Sequence, residues 1–447
     1  MNKYAIGLFS SGGIADVGFI KNNITFLALN ELLKDRAALL ELNYPESKVF
    51  AEDVWTSYPK IINYAKEKLG GNKLFLLFAT PPCQGMSQNG AGTLLKNIRE
   101  GKRPKLDPRN RLIIPALKVA KELKPEWVIF ENVPKMENTL IEDDSGNLVN
   151  IIDMIRIELG KDYEGHPYIV EFADYGLPQR RKRLITVFTR NKIAKKIFKE
   201  GTPLIPLPTH DKNGENNLKF WKTLRESLKD FESLDAKNKE TAQSKTDPLH
   251  RVPLLDEKKY FWVENTPENE SAFDNQCINS DCKSQDNPKH GAKRNGDGIN
   301  QSKKNTPLFC LKCGSLLPRP YTEKDGKKRL MSGFISAYKR MSWDLPSSTL
   351  TRNFIYACSD NKLHPEENRV LSFSEALKLQ SISNYSYEWG PLVIKGKKIK
   401  VASTTLIRDV IGESAPPMFF DLLYKHIEKI SKGLTKNNQT NNLLAYC

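Results

Sequence analysis

From residue 4 to 190 short apolar runs alternate with helical patterns, and this alternation restricts the chain more than any other feature. The runs are Tyr4–Phe9, Thr25–Leu29, Lys48–Phe50, Leu74–Phe78, Trp127–Phe130, Tyr168–Phe172 and Leu184–Phe188. Between the fourth and fifth, Leu112, Ala116, Leu117, Ala120 and Leu123 recur at helical spacing. Apolar strands that alternate with helices pair largely in parallel, with helices on both faces. The expected fold is therefore α/β, a doubly wound, mostly parallel sheet whose chemistry lies beyond the carboxyl ends of its strands.

Four segments follow such strand ends, and a fifth leads into a strand. Cys83 stands in Pro81-Pro82-Cys83-Gln84 just past the fourth run, placed as a nucleophile rather than as a small buried hydrophobe. Glu131-Asn132-Val133 follows the fifth run and brings a carboxylate to the same edge. Gln179-Arg180-Arg181-Lys182-Arg183 enters the last run, and alternate side chains there can deliver two guanidiniums to one place. After the first run, Phe9-Ser10-Ser11-Gly12-Gly13 lets the backbone turn tightly and approach a ligand. Glu31 follows the second run, where an acid can accept hydrogen bonds from ribose hydroxyls. Near the end, Gly412-Glu413-Ser414-Ala415-Pro416-Pro417 opens an amphipathic helix carrying Phe420, Leu423, Ile427 and Ile430 on one side.

Cysteine, acid, arginine pair and glycine-proline turn, in this order, resemble the DNA (cytosine-5) methyltransferases, which use S-adenosylmethionine; the likeness covers about 1–190 and 340–430. The resemblance implies the S-adenosylmethionine-dependent methyltransferase fold, with Phe9, Ser10, Gly12, Gly13, Asn30, Glu31, Asp53, Val54, Pro82, Leu112, Glu413 and Ser414 binding the cofactor. It implies that the Cys83 thiolate adds to carbon 6 of a flipped-out cytosine and that Glu131 protonates or hydrogen-bonds ring N3. Arg183, with Arg181, would hold the exocyclic O2 or a phosphate. Gln84, Ser87, Arg109, Gln179 and Thr349 are expected on the DNA, and the basic segment Gly85 to Lys105 is expected to close over it. Two departures from the family pattern stand out. Ser11 and Ile14 replace glycines in the first turn, and Glu413 replaces an asparagine in the last motif.

Beyond Arg190 the alternation stops, and Pro203, Pro206 and Pro208 break regular structure. Within this insert, Cys277 and Cys282 form one pair and Cys310 and Cys313, followed by Gly314, another. Two such pairs can give zinc four thiolates, so a structural zinc ribbon is expected over 274–317. Residues 283–329 hold 12 Lys or Arg against 4 Asp or Glu, a difference of +8 and half of the chain's net charge of +16. That balance points to phosphates as partners. The expected domains are 1–196 plus 402–435 for catalysis and cofactor binding, 197–401 for target recognition, and 436–447 as a tail.

A length of 447 residues exceeds the usual single domain. Seven cysteines make no disulfide framework, and no apolar run approaches the ~20 residues that span a bilayer. The short apolar stretch at the start runs into the glycine turn, as a first internal strand would. The expectation is a cytoplasmic, sequence-specific DNA cytosine-5 methyltransferase acting on double-stranded DNA, of the kind found beside a cognate restriction or defence system, with no membrane partner. A tRNA cytosine-5 methyltransferase is the alternative enzyme, and a non-catalytic DNA-binding protein of the same fold is the alternative class. The large basic insert favours DNA over tRNA.

Overall fold

The computed structural model describes residues 3–82, 107–290, 292–294, 300–302, 306–331 and 336–434. The seven apolar runs form one sheet: β1 (Lys3–Leu8), β2 (Ile24–Asn30), β3 (Lys48–Phe50), β4 (Leu76–Ala79), β5 (Trp127–Asn132), β6 (Glu164–Glu171) and β7 (Lys182–Thr189). Their spatial order is β3-β2-β1-β4-β5-β7-β6. The first five pair in parallel, while β7 runs antiparallel to both β5 and β6. The sheet is thus mixed at one end. Only ten residues separate β6 from β7, too few for the crossover that parallel pairing requires.

All of β4 and β5 is buried, which is why these strands read as unbroken apolar runs. Helices cover the sheet: α1 (Lys34–Asn43), α2 (Val54–Leu69), α3 (Ile113–Leu123), α4 (Ile151–Leu159) and α5 (Lys192–Lys199). Asp53 caps α2 by accepting from Trp55 N at 2.8 Å, and Asn150 caps α4 by accepting from Ile152 N at the same distance. One core joins Ile6, Leu77, Val128 and Phe130 to Ile61, Ala65, Leu117 and Ile155.

The chain divides into two compact units, apart from the residues not described. Met1–Gly176, Lys182–Phe220 and Ser381–Cys447 form one, Leu177–Arg181 and Trp221–Gln380 the other. The junctions fall at 220/221 and 380/381, whereas composition suggested 196/197 and 401/402. α5 packs on the final helix, and the two-stranded piece after Ser381 packs on α1, which draws both flanks into the sheet unit.

In the first unit, two further helices follow α5, Thr404–Glu413 and Pro417–Ser431. The latter buries Phe419, Phe420, Leu423, Ile427 and Ile430, the face that its spacing indicated. Phe420 meets Phe78 with ring centroids 4.9 Å apart. A side chain at Gly18 would lie 2.2 Å from the carbonyl of Pro417, so this helix start reaches the backbone after β1 only because Gly18 has none.

The second unit has little regular structure and is organised by buried polar groups. Arg340 donates to the carbonyls of Thr266 at 2.6 Å, His364 at 2.9 Å and Val263 at 2.9 Å. Arg369 forms a two-pronged bond to Glu375 at 2.7 and 2.9 Å, both residues being buried. Against the pull of burial, the arginine and the Ser372 N–H hold the Glu375 carboxyl down to about 2. Removing one partner of such a pair leaves an uncompensated buried charge.

Candidate active site and thiol cluster

The turn after β1 supplies the tightest backbone geometry. Gly13 has φ of 79°, and a side chain there would lie 2.4 Å from the ring of Tyr44. Ser11 also takes the left-handed region, with φ of 49°, so serine keeps the conformation that glycine adopts without strain. Tyr387 donates to Gly12 O at 2.5 Å, and Tyr44 donates to Gly13 O. Beneath the turn lies Asp16, 1% exposed, with Ser10 Oγ 3.5 Å away. Burial pushes its carboxyl up to about 7.

At the ends of β2 and β3 stand the two expected acids. Glu31 accepts from Ser11 N at 3.0 Å and Leu33 N at 2.8 Å. Asp53 is exposed at the start of α2. Leu32 and Trp55, following the same two strands, leave apolar surface exposed beside these carboxylates. Asn30 is engaged otherwise: its amide donates to Phe50 O, Glu52 O and Ser57 Oγ, tying β2 to β3. Glu413 forms a forked ion pair with Arg36 at 2.7 and 3.1 Å. Ser414 donates to Val410 O at 2.6 Å, Val54 is buried in α2, and Pro82 and Leu112 are half-buried.

Glu131 and Asn132 end β5. Arg183 Nε lies 2.8 Å from Glu131 Oε1, and both side chains are largely buried. Although the pair is close, the N–H is not aimed at the oxygen, so Oε1 is buried without a hydrogen bond among the described residues. An acid in that state can still offer a proton or accept one from a ligand. Asn132 donates to Pro81 O at 3.0 Å, and Thr80 Oγ1 donates to Phe9 O at 2.8 Å. Together they fix the backbone two and three residues before Cys83 between the ends of β1 and β5. Cys83, Gln84, Ser87 and the basic segment up to Lys105 lie outside the described residues.

In the second unit, Arg181 is 1% exposed and donates to Leu350 O at 2.6 Å. Gln179 is fully buried, accepting from Leu350 N at 3.0 Å. Thr349 donates to Arg180 O at 2.6 Å. Arg109, in the first unit, turns to Asp107, with Nε 2.8 Å from Oδ1.

The four cysteines of the insert converge. The sulfurs of Cys277, Cys282, Cys310 and Cys313 all lie within 4.8 Å of one another, a set that could hold a metal ion. Cys277 to Cys313 is 3.6 Å and Cys282 to Cys310 is 3.8 Å, far beyond a disulfide bond of about 2.05 Å. N–H groups of Cys313 and Lys312, with the Asn287 amide, favour the Cys310 thiolate and bring it down to about 6. Arg319 joins the two cysteine-bearing segments by donating to Asn275 O at 2.8 Å and Pro307 O at 2.8 Å.

Comparison with known proteins decides the family. The model of the C-5 cytosine-specific DNA methylases matches residues 4–428. The chain belongs to that family. The methylase is 26% identical over 442 residues to the type II methyltransferase M1.HgaI of Avibacterium volantium, covering 95% of this chain and 98% of that protein. It is 25% identical to M.Eco47II of Escherichia coli, over 91% and 77% of the two chains. A crystal structure of a candidate DNA modification methyltransferase encoded within an E. coli prophage superposes with a TM-score of 0.53 at 16% identity, covering 96% of this chain and 99% of the other, which supports the fold. The methylase therefore transfers a methyl group from S-adenosylmethionine to carbon 5 of cytosine in DNA, with sequence specificity. No helix among its described residues is long and apolar enough to cross a membrane.

Sequence reasoning missed Tyr44, Tyr387, Asp16 and Arg36 in the methylase. Nothing local marks the first two, whereas Asp16 sits in the glycine turn itself. A carboxyl raised by burial contributes stability that is full below its unfolded value near 3.8 and is lost as pH rises through about 7. The stability of the methylase is expected to fall across that window, by as much as about 4 kcal/mol from this one group. Asp16→Asn should flatten that loss and be the more stable form at pH 8, as measured by urea unfolding at pH 5 and 8.

Proposed function

We propose that the methylase works through Cys83, Glu131 and Arg183 in the sheet unit and recognises its target with the unit containing Trp221–Gln380. The buried Oε1 of Glu131, ion-paired with Arg183 at 2.8 Å but without a hydrogen bond among the described residues, carries this reading. Cys83 sulfur bonds to carbon 6 of the flipped-out cytosine while Glu131 gives a proton to ring N3, so the electron pair released by attack does not stay as charge on the ring. Bound S-adenosylmethionine supplies the methyl group that carbon 5 takes up. Loss of the carbon 5 proton then breaks the sulfur–carbon bond and frees Cys83. Arg183 keeps Glu131 in place and offers Nη groups toward the base, while Arg181 and Gln179 serve the second unit by holding Leu350.

Glu31, Asp53, the Gly12-Gly13 backbone and Ser414 would hold the cofactor. The residues suit an adenosyl group, since carboxylates for hydroxyl and amino donors stand beside the exposed apolar surface of Leu32 and Trp55. Asn30 and Val54 shape the strand and helix that present these groups. Gln84, Ser87, Arg109 and Thr349 are assigned to the DNA.

The thiol cluster is assigned to one structural zinc. Tetrahedral thiolates at about 2.3 Å from zinc stand roughly 3.8 Å apart, close to the Cys277–Cys313 and Cys282–Cys310 separations of 3.6 and 3.8 Å in a cluster whose sulfurs all lie within 4.8 Å. Four protein ligands leave no open position, so the ion shapes the recognition unit and takes no part in chemistry. Purified protein is expected to contain about one zinc per chain. Cys310→Ser with Cys313→Ser should weaken discrimination between target and unrelated duplex while S-adenosylmethionine binding stays near normal. Protein without metal, with unchanged discrimination in the double variant, would contradict the assignment. Relatives that are type II methyltransferases support a cognate restriction enzyme, and the free thiols support action in the reducing cytoplasm.

A further inference from the structure

Glu413 stands where the family pattern has asparagine, and so brings a second carboxylate to the edge that already holds Glu31. Two like charges at one edge oppose each other's ionisation. Arg36, in the first turn of α1, meets the intruding acid with a forked ion pair at 2.7 and 3.1 Å, its side chain 13% exposed and that of Glu413 27%. A two-pronged arginine–carboxylate bond fixes both charge and orientation. The two residues are 377 positions apart in sequence, so the pair also ties α1 to the end of helix Thr404–Glu413.

We propose that Arg36 is a positioning residue for the ribose of S-adenosylmethionine: by taking up the charge of Glu413 it leaves Glu31 available as an ionised acceptor for the ribose hydroxyls. This rests on the cofactor reading above and adds to it a group that the family motifs do not contain. Burial acts most strongly on Glu31, raising its carboxyl, and the Glu413 charge raises it further; the Leu33 and Ser11 amides and Arg36 oppose that rise. The other charged residues on the neighbouring elements include Lys34, Asp35 and Glu41 on α1, Glu52 and Asp53 after β3, Asp16 in the turn after β1, and Arg408 and Asp409, which pair with each other, on helix Thr404–Glu413. Glu31 already accepts two backbone N–H bonds, so its orientation is set without Arg36. What Arg36 adds is charge compensation.

The test is calorimetric binding of S-adenosylmethionine to the full chain between pH 5.5 and 8.5, for the wild type, Arg36→Met, Glu413→Asn and the double variant. Arg36→Met should bind about tenfold more weakly at pH 7, with the acid limit of binding raised by about one pH unit, a shift of one unit being a tenfold change. Adding Glu413→Asn should return affinity and profile to within about threefold of wild type, because the repelling charge is gone. Unchanged binding by Arg36→Met overturns the proposal, as does a loss that Glu413→Asn does not restore, which would make Arg36 a structural tie. If Arg36→Met does not fold, Arg36→Lys serves: it keeps the charge and should bind within about threefold of wild type, and a tenfold loss would overturn the proposal. Failure of the wild type to bind would instead overturn the cofactor reading itself.

Discussion

Methyl transfer is expected to vanish when Cys83 is replaced by alanine, while S-adenosylmethionine and DNA binding remain. Carbon 5 of cytosine becomes nucleophilic only after a thiolate has added at carbon 6, and Cys83 is the thiol that follows β4 in the sequence. The structure supports the placement of the segment rather than of the sulfur. Asn132 holds Pro81 O at 3.0 Å and Thr80 binds Phe9 O, so the chain leaves β4 beside the Glu131 carboxylate in a fixed direction. With 5-fluorocytosine in the target, the carbon 5 fluorine cannot leave as a proton does, and the wild-type protein should stay bonded to DNA through denaturing electrophoresis. Cys83→Ala should give no such band. Methylation by that variant at a near-normal rate would remove the covalent step from the account.

Glu131→Gln is expected to slow the single-turnover rate roughly 100- to 10,000-fold, the usual contribution of a placed acid or base. Glutamine keeps the shape and can still sit against Arg183 at the end of β5, but it has no proton to give to ring N3. Stability should fall somewhat, because glutamine leaves the largely buried Arg183 without its counter-charge, so the rate is read on protein shown to be folded. A single-turnover rate equal to that of the wild type would make the carboxylate a partner for Arg183 and nothing more.

The sheet was legible because strands buried on both faces read as apolar runs, as β4 and the first four residues of β5 do. The antiparallel pairing of β6 with β7 was legible only from the short link between them, a signal that strand composition does not carry. Spacing also brought the four cysteines together, since a metal ligand set is written in local pairs. The two arginines show the limit of period-two reasoning. β7 begins at Lys182, so Arg183 follows the strand's alternation toward Glu131, while Arg181 precedes it and binds Leu350 O instead. Asn30 and Gln179, polar residues at a strand end and beside a motif, satisfy backbone groups, a use that sequence cannot separate from ligand binding. The Arg36–Glu413 pair joins residues too distant for any local pattern to show. Glu413 stood out in the sequence only as a departure from the family motif.

Bisulfite sequencing of DNA from cells expressing the chain tests the central claim most directly, because it reads the modified base and its sequence context together. The account predicts cytosines protected at every copy of one short sequence and at no other, with protection absent in cells expressing Cys83→Ala. Genomic DNA without protected cytosines, or protection confined to tRNA, would contradict it.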